Sequence, residues 1–310
     1  MKKFMDKLLI IDGHAILHRA YHALPPNFTA PDGTPTNAVY GFTTMLLRLL
    51  SDLKPTHLAV AFDLPTPTFR QQIYTQYQNK RPEMEGNLKD QIPLVHEMLE
   101  ALNIPFYEMA GYEADDVIGT LSTQTTESVL IVTGDRDMLQ LVNDHVSVMV
   151  PVKGLAETKT YDAALVRAEF GVEPQQWVDV KALKGDPSDN YPGVAGIGPK
   201  TAEDLIKTYG TVEDVYKNLG KIKAQIAAKL AAGAEDAGLG QKLAKIQTDV
   251  PVHLDLETAK TQNINWQQGI KYMHEKLGFK TIVERIKKEY LESKRSKQSK
   301  LSNEEQMKLI

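Results

Sequence analysis

The chain contains no cysteine, which excludes disulfides, thiolate nucleophiles and thiolate zinc sites and fits a reducing compartment. No apolar run approaches the roughly 18 residues of a membrane span. Met1 to Phe4 leads straight into an apolar strand and leaves no room for a signal peptide, so a soluble, cytoplasmic protein is expected. Internal repeats and long low-complexity tracts are absent as well. At 310 residues there is enough chain for one large α/β domain and a smaller helical one.

An excess of positive charge is also missing, since the formal balance is −4. That figure includes nine acidic residues gathered in short clusters: Asp12, Asp63, Glu113/Asp115/Asp116, Asp135/Asp137 and Asp186/Asp189. Setting those nine aside as metal-neutralised leaves the remainder at +5, so total charge neither supports nor excludes a nucleic-acid partner.

The position of the clusters carries more information. Leu8 to Ile11 ends in Asp12, Leu58 to Phe62 ends in Asp63, and Val129 to Thr133 ends in Gly134-Asp135-Arg136-Asp137. Each run is too short for a globular helix and reads as a buried strand. In an open parallel sheet the carboxyl ends of the strands line one edge, where ligands bind, so these acids are expected to converge. Crowded carboxylates repel one another, and hard divalent cations held through oxygen remove that penalty.

Strand and helix alternate up to about residue 170. Helices are expected over 15–23, 38–53, 92–102, 114–122 and 138–142, with strands over 8–11, 58–62, 104–107, 129–133 and 146–150. This βα alternation predicts an α/β fold with a mostly parallel sheet and helices on both faces. Beyond about residue 160 the β-branched runs stop, and helical patterns follow over 163–170, 174–183, 200–209, 212–218 and 222–232. From about Lys287 the composition turns to Lys, Ser, Glu and Gln, which predicts a frayed helix and a flexible tail.

Glu113-Ala114-Asp115-Asp116 opens a helix, where acidic side chains favour the dipole in any case. Together with Asp135-x-Asp137 and Asp186-x-x-Asp189, each following a glycine, they supply enough oxygens for two ions about 4 Å apart, as in-line phosphoryl displacement needs. Tyr191 to Ala202 places Gly193, Gly196 and Gly198 between two expected helices, with Lys200 and Thr201 opening the second. Such a helix-hairpin-helix grips a phosphate backbone without reading bases. A nucleotide P-loop is excluded, because it needs glycine directly before Lys-Thr and Pro199 intervenes.

Residues 64–92 mix aromatic and basic side chains, among them Arg70, Tyr74, Tyr77, Lys80, Arg81 and Lys89, a mixture suited to stacking bases along a single strand. His14, His18 and His22 recur every four residues and invite a zinc reading, but no acid stands in the arrangement of a helical metalloprotease motif. Solvated or packed histidines are expected.

Taken in order, Asp12-Gly13, Arg19-Ala20-Tyr21-His22-Ala23, Pro35-Thr36 with Tyr40-Gly41, Phe62-Asp63, Gly111-Tyr112-Glu113-Ala114-Asp115-Asp116, Thr133-Gly134-Asp135-Arg136-Asp137 and Gly185-Asp186-Pro187-Ser188-Asp189-Asn190 resemble the bacterial 5′-nuclease family. That family comprises the 5′→3′ exonuclease domain of DNA polymerase I and its stand-alone relatives, within the flap endonuclease superfamily. The resemblance runs over residues 7–285. It implies a PIN-like nuclease domain over 1–170 with a helical arch at about 64–92, a helical DNA-binding domain with the hairpin over 171–286, and a tail or linker over 287–310 that includes Lys294, Arg295 and Lys297.

The resemblance further implies a structure-specific 5′→3′ exonuclease and 5′-flap endonuclease acting in DNA replication and repair on DNA 5′ ends, flaps and nicks, with RNA primers as a further substrate. Two divalent cations, Mg²⁺ with Mn²⁺ as substitute, would serve it. Asp12, Asp63, Glu113 and Asp115 would hold one, Asp135, Asp137, Asp186 and Asp189 the other, and Asp116 would support them. Arg81, Lys80 and Arg19 are the expected catalytic cations, and Arg70, Tyr77, Gln78, Gly193, Gly196, Gly198, Lys200 and Thr201 the expected DNA contacts. A monovalent cation such as K⁺ at the hairpin, a monomeric state, a DNA polymerase fused or separate as partner, and a place near the nucleoid complete the expectations.

One position departs from the family pattern of Tyr-Lys-x-x-Arg. Here the segment reads Tyr77-Gln78-Asn79-Lys80-Arg81, so the usual lysine is Gln78. On a helix Lys80 would be rotated about 200° from position 78, whereas Arg81 would share its side. Two other classes compete: a DNA junction-binding protein with weakened catalysis, and a PIN-type ribonuclease. The filled acidic positions argue against the first and the hairpin against the second.

Overall fold

The computed structural model describes residues 7–153 and 157–291. The tail cations Lys294, Arg295 and Lys297 lie outside the described residues. Strand β1 (Lys7–Asp12) runs directly into helix α1 (Gly13–Ala23), and α2 (Asn37–Leu53) precedes β2 (His57–Ala61). Two short helices, α3 (Phe69–Ile73) and α4 (Gly86–Lys89), come before α5 (Ile92–Ala101), β3 (Phe106–Tyr107) and α6 (Ala114–Thr123). Strands β4 (Ser128–Val132), β5 (Val146–Lys153) and β6 (Glu157–Tyr161) follow, with a 3-10 helix at Arg136–Leu141 where an α-helix is expected.

The remaining elements are helical: α7 (Ala163–Phe170), α8 (Trp177–Lys184), α9 (Pro199–Tyr209), α10 (Val212–Lys217), α11 (Ala224–Ala232), α12 (Ala234–Ala244), α13 (Trp266–Glu275) and α14 (Lys280–Ile286). They divide between two compact units. The first is made of residues up to Ile16, Ala59–Met84 and Tyr107–Asp255; the second of Leu17–Leu58, Glu85–Phe106 and residues from Leu256 on. The break expected near residue 170 falls inside the first unit.

The sheet has the order β3-β2-β1-β4-β5-β6. Strands β1 and β4 pair in parallel, as do β4 and β5, while β5 and β6 are antiparallel. Leu8, Leu9, Ile10 and Ile11 are all buried, as are Val129 to Val132, so these strands are covered on both faces, the signature of a parallel sheet between layers. Strand β6 has no counterpart in the sequence reading. Its residues Glu157-Thr158-Lys159-Thr160-Tyr161 are polar, with only Tyr161 buried, and a polar edge strand shows no apolar run.

In the second unit, Gln91 joins α2 and α5. Its Oε1 accepts from the Ala38 N–H at 2.8 Å, and its Nε2 donates to Asn37 Oδ1 at 2.9 Å, so a fully buried amide serves the open N-terminus of α2. Trp266 stacks on Tyr290 with ring centroids 4.2 Å apart.

Candidate active site

The register of β1 on β4 builds the floor of the site. Ile11 lies opposite Val132, so Asp12 and Thr133 leave neighbouring strands side by side, and the Thr133 hydroxyl donates to Asp12 Oδ2 at 2.7 Å. Asp12 Oδ1 accepts from the Ala15 N–H at 3.0 Å, in the first turn of α1. Gly13 is required between them, since a Cβ there would stand 2.1 Å from the Phe62 ring. Asp63 follows β2 and turns its Oδ1 to the Ala114 N–H at 2.7 Å, at the start of α6. His14 Nδ1 accepts from the Asp63 N–H at 3.0 Å, and burial lowers its pKa. The acidic strand ends therefore meet as expected, and His14 is a neighbour of Asp63 rather than part of a histidine cluster.

The first turn of α6 splits its acids between two tasks. Glu113 caps the helix and Asp115 turns to the cluster, whereas Asp116 is fully buried and caps the Glu113 N–H at 3.1 Å. Both Asp116 oxygens are taken by Arg70, through Nη1 at 2.6 Å and Nη2 at 2.8 Å. Arg70 also donates to the Leu243 carbonyl at 2.8 Å and the Lys245 carbonyl at 2.9 Å, and is 2 % exposed. Two expectations are corrected here. Asp116 is not arranged as a metal ligand, and Arg70 is not a DNA contact; they form a buried bidentate pair that ties α3 to α6 and to the end of α12.

Asp135 and Asp137 leave β4 through a 3-10 turn in which Asp135 Oδ1 accepts from the Asp137 N–H at 2.8 Å. Asp186 and Asp189 stand in a tight loop closed by paired backbone bonds between Asp186 and Tyr191, both 3.1 Å. Lys181 on α8, absent from the sequence reading, joins the two clusters: its Nζ is 2.6 Å from Asp137 Oδ1 and also bonds Asp186 Oδ2. The carboxylate oxygens of Asp137, Asp186 and Asp189 lie within 4.8 Å of one another.

The segment 64–92 is not a continuous helical arch. Between α3 and α4 it runs through turns, because Pro82 disfavours helix at Arg81 and Gln78 sits in the left-handed region at φ 57°. The helical register assumed for Gln78, Lys80 and Arg81 thus has no helix beneath it. Gln78 and Arg81 nevertheless meet at one atom, Asp189 Oδ1, at 3.2 and 2.6 Å, and the Gln78 N–H donates to the Asp189 carbonyl at 2.8 Å. Lys80 is exposed. Tyr77 is corrected from a base-stacking residue to a core one: it is buried against Tyr191, Leu243 and Ala244, with its hydroxyl 3.3 Å from Glu113 Oε2.

Electrostatics unite the eight carboxylates other than Asp116. Burial first, then the neighbouring charges of Asp63 and Asp135, pushes Asp12 up to about 7 against its bonds from Ala15 and Thr133. Burial also takes Glu113 to about 7, outweighing Arg70. Asp137 rises to about 7 through burial and Asp135 despite Lys181, and Asp115 is raised by burial and by Asp135, Asp12, Glu113 and Asp63. Asp186 goes the other way: burial opposes ionisation, but the bonds from Lys181 and Ser188 prevail and bring it to about 2. Asp135 is the common neighbour, acting on Asp12 and Asp115 on one side and on Asp137 and Asp189 on the other.

A set of oxygen donors this crowded fits divalent cations, whose charge would lower the pKa of every raised carboxyl at once. The buried Tyr191 hydroxyl has no hydrogen-bond partner among the described residues and lies in the field of Asp137, Asp186 and Asp189, a further polar atom left to a ligand or ion. The three histidines of α1 form no such set. His18 and His22 meet at 3.2 Å, both exposed, while His14 belongs to Asp63. Arg19 is half-buried on α1 in the second unit.

The hairpin joins α8 to α9. Gly193 lies where a Cβ would stand 2.1 Å from the Gly185 nitrogen, so its first use is the close passage of two backbones. Gly196 has φ +78°, and its carbonyl accepts from Lys229 Nζ at 3.0 Å. Gly198 is exposed with nothing within 4 Å of a built Cβ. Lys200 is exposed and pairs with Asp204 at 3.0 Å, and Thr201 is half-buried in the first turn of α9.

Among the described residues no helix is long and apolar enough to cross a membrane. Residues 7–171 match the family model of the 5′-3′ exonuclease N-terminal resolvase-like domain, and residues 172–267 that of the 5′-3′ exonuclease C-terminal SAM fold. The chain is 41 % identical over 290 residues to DNA polymerase I of Bacillus caldotenax, covering 92 % of this chain and 32 % of that protein. It is 43 % identical over 285 residues to DNA polymerase I of Caldicellulosiruptor bescii, covering 90 % and 33 %. The chain thus spans about a third of the length of the relatives it matches. Among solved structures, the bacteriophage T5 flap endonuclease in a pseudo-enzyme-product complex with DNA and metal ions shares the fold at TM-score 0.63 and 19 % identity, over 92 % of this chain and 98 % of that one.

Proposed function

The chain belongs to the 5′-3′ exonuclease family, and from that premise we propose that it hydrolyses phosphodiester bonds of DNA at 5′ ends, flaps and nicks by a two-metal route, with RNA primers as a further substrate. The observation that carries this reading is the convergence in one field of Asp12, Asp63, Asp135 and Asp137 from strand ends, Glu113 and Asp115 from the start of α6, and Asp186 and Asp189 from the 186–191 loop. Mg²⁺ or Mn²⁺ suits the all-oxygen donor set.

Asp12, Asp63, Glu113 and Asp115 would hold one ion and Asp137, Asp186 and Asp189 the other, with Asp135 between them. When bound, the pair polarises the scissile phosphate and lowers the pKa of the attacking water. The protein's own part is placement. Strand ends and the capped start of α6 fix the carboxylates, and the 186–191 loop holds Asp189 against the Gln78–Arg81 turn. Arg81, with half its side chain exposed beside Asp189, is the cation best set to meet a phosphate oxygen.

The hairpin would grip duplex backbone through Gly196, Gly198 and the α9 N-terminus with Lys200 and Thr201, and a monovalent cation such as K⁺ held there would add positive charge toward the phosphates. In this division of labour residues 1–170 cut and 171–286 hold DNA, as a monomer in the cytoplasm near the nucleoid. A DNA polymerase, fused or separate, would fill the gap that 5′ cleavage leaves.

The test is cleavage of a 5′-labelled flap DNA beside an RNA duplex of equal length, with Mg²⁺ and with excess chelator. DNA cleavage that needs the metal and falls by orders of magnitude in an Asp135→Asn variant that remains folded is the expected result. Undiminished cleavage in chelator would end the two-metal reading, and a preference for the RNA duplex would return a ribonuclease.

A further inference from the structure

Lys181 is placed inside the acidic cluster, yet the reaction outlined above leaves it without a task. It stands on α8 between Val180 and Ala182, and all three are buried. A lysine in such a position needs partners, because an unpaired ammonium is costly to bury. Its partners are Asp137 Oδ1 at 2.6 Å and Asp186 Oδ2. Asp186 is held from both sides, since its other oxygen accepts from the Ser188 N–H at 2.7 Å and from the Ser188 hydroxyl.

The two halves of the cluster differ for this reason. Asp137, Asp186 and Asp189, whose oxygens lie within 4.8 Å of one another, already hold Lys181 and, through Asp189, Arg81. In the other half Glu113 has Arg70 at 3.5 Å, a guanidinium already committed to Asp116, and among the described residues Asp12 and Asp115 pair with no lysine or arginine. Asp12 is met by neutral donors alone, the Ala15 N–H and the Thr133 hydroxyl, so a positive charge beside it would have to come from an ion.

We propose that Lys181 is a positioning residue that pre-aims Asp137 and Asp186 and stands there as a resident counter-cation, so that the divalent ion of this half binds against an ammonium and more weakly than the ion held by Asp12, Asp63, Glu113 and Asp115. The inference rests on the two-ion reading of the site. An ammonium and a divalent ion drawing on the same two carboxylates repel each other at short range in a partly dry site, where such repulsion is screened little. The four-carbon stem lets the ammonium swing while still holding one carboxylate, which a rigid guanidinium fork does less readily.

The experiment counts Mn²⁺ ions on the full chain without DNA, by the electron paramagnetic resonance signal of the free ion, for wild type, Lys181→Met and Lys181→Arg. Wild type should bind two ions, the second about tenfold or more weaker than the first. Lys181→Met, which keeps the length and removes the charge, should tighten the second ion by about tenfold while leaving the first unchanged. Lys181→Arg should keep the wild-type spread. A second ion that is unchanged or weaker in Lys181→Met overturns the proposal and leaves the lysine a structural prop.

If Lys181→Met does not fold in chelator, the Mn²⁺ dependence of its melting temperature reads the same quantity. A rise per decade of Mn²⁺ steeper than in wild type supports the proposal, and failure of any Mn²⁺ concentration to restore the fold overturns it. Wild type that binds no Mn²⁺ at all would instead sink the two-ion reading, which keeps the two failures apart.

Discussion

Arg81 and Asp189 are joined at 2.6 Å, Nη2 to Oδ1, although one side chain is 49 % exposed and the other 11 %. The pair sets a solvent-facing cation against a candidate metal ligand. Gln78, which stands where the family pattern Tyr-Lys-x-x-Arg has lysine, donates its amide to the same oxygen, and its own N–H holds the Asp189 backbone. Gln78 and Arg81 are therefore coupled to the acidic cluster at Asp189, by a turn rather than by a helix face.

From this coupling, Arg81→Ala should lower the single-turnover rate on a flap substrate by about 10²-fold, because a cation next to developing phosphate charge is worth that much in a water-poor site. Lys80→Ala should change it little, since Lys80 is exposed and away from the contact that Gln78 and Arg81 share. Gln78→Lys should leave the rate equal or faster. Saturating enzyme and fixed salt remove binding differences; equal losses in the Lys80 and Arg81 variants would put the phosphate contact on Lys80.

The Arg70–Asp116 pair belongs to folding rather than to DNA. Removing either partner strands a buried charge, so Arg70→Ala or Asp116→Ala should cost about 3–5 kcal/mol in a urea melt. Flap binding by whatever fraction remains folded should be unchanged. A variant of full stability with weakened DNA binding would return Arg70 to the interface.

The raised carboxyls fix the sign of a pH effect. Asp12, Glu113 and Asp137 rest at about 7 in the folded protein against ordinary values of 3.8 for aspartate and 4.5 for glutamate. A group raised on folding stabilises the fold while protonated, and that contribution is lost as pH climbs from the unfolded value through the folded one. The metal-free protein should therefore lose melting temperature between about pH 5 and pH 8. Asp186, lowered to about 2, adds nothing within that window. Divalent ions bind the ionised form, so the rise in melting temperature on adding Mg²⁺ should grow over the same window. A rise that is constant or shrinks with pH would mean that the ions bind elsewhere.

Much of this was legible in the sequence because buried strands ending in acids leave a mark in one dimension. Leu8 to Asp12 and Val129 to Asp137 carry both strand and ligand in a few residues, and α7 falls at 163–170 as expected. What stayed hidden depends on partners distant in sequence. Nothing in Glu113-Ala114-Asp115-Asp116 says that the last acid turns inward, because that is decided by Arg70, 46 residues away. Lys181 gave only a faint signal, a lysine flanked by Val180, Ala182 and Leu183 in a helix whose neighbours are buried. The arch was misread because a family pattern suggested a helix, while Pro82 and the left-handed Gln78 favour turns.

The hairpin glycines separate a folding role from a binding role. Gly193 is pressed against Gly185, with a built Cβ 2.1 Å from its nitrogen, so Gly193→Ala must push two backbones apart and should destabilise the protein before any ligand is added. Gly198 has ordinary φ of −89°, is exposed, and has open space around a built Cβ. Gly198→Val should therefore hold the melting temperature to within a few degrees, the change at a helix N-cap costing about 1 kcal/mol or less. It should nevertheless weaken binding to a flap duplex, because the branched side chain would stand between the start of α9 and a phosphate. The loss should be equal for duplexes of unrelated sequence, since backbone contacts carry no base information. Fluorescence anisotropy in chelator on two such duplexes measures it without cleavage. Unchanged affinity in Gly198→Val would remove the hairpin from the DNA interface, and a loss confined to one duplex would make it a reader of bases.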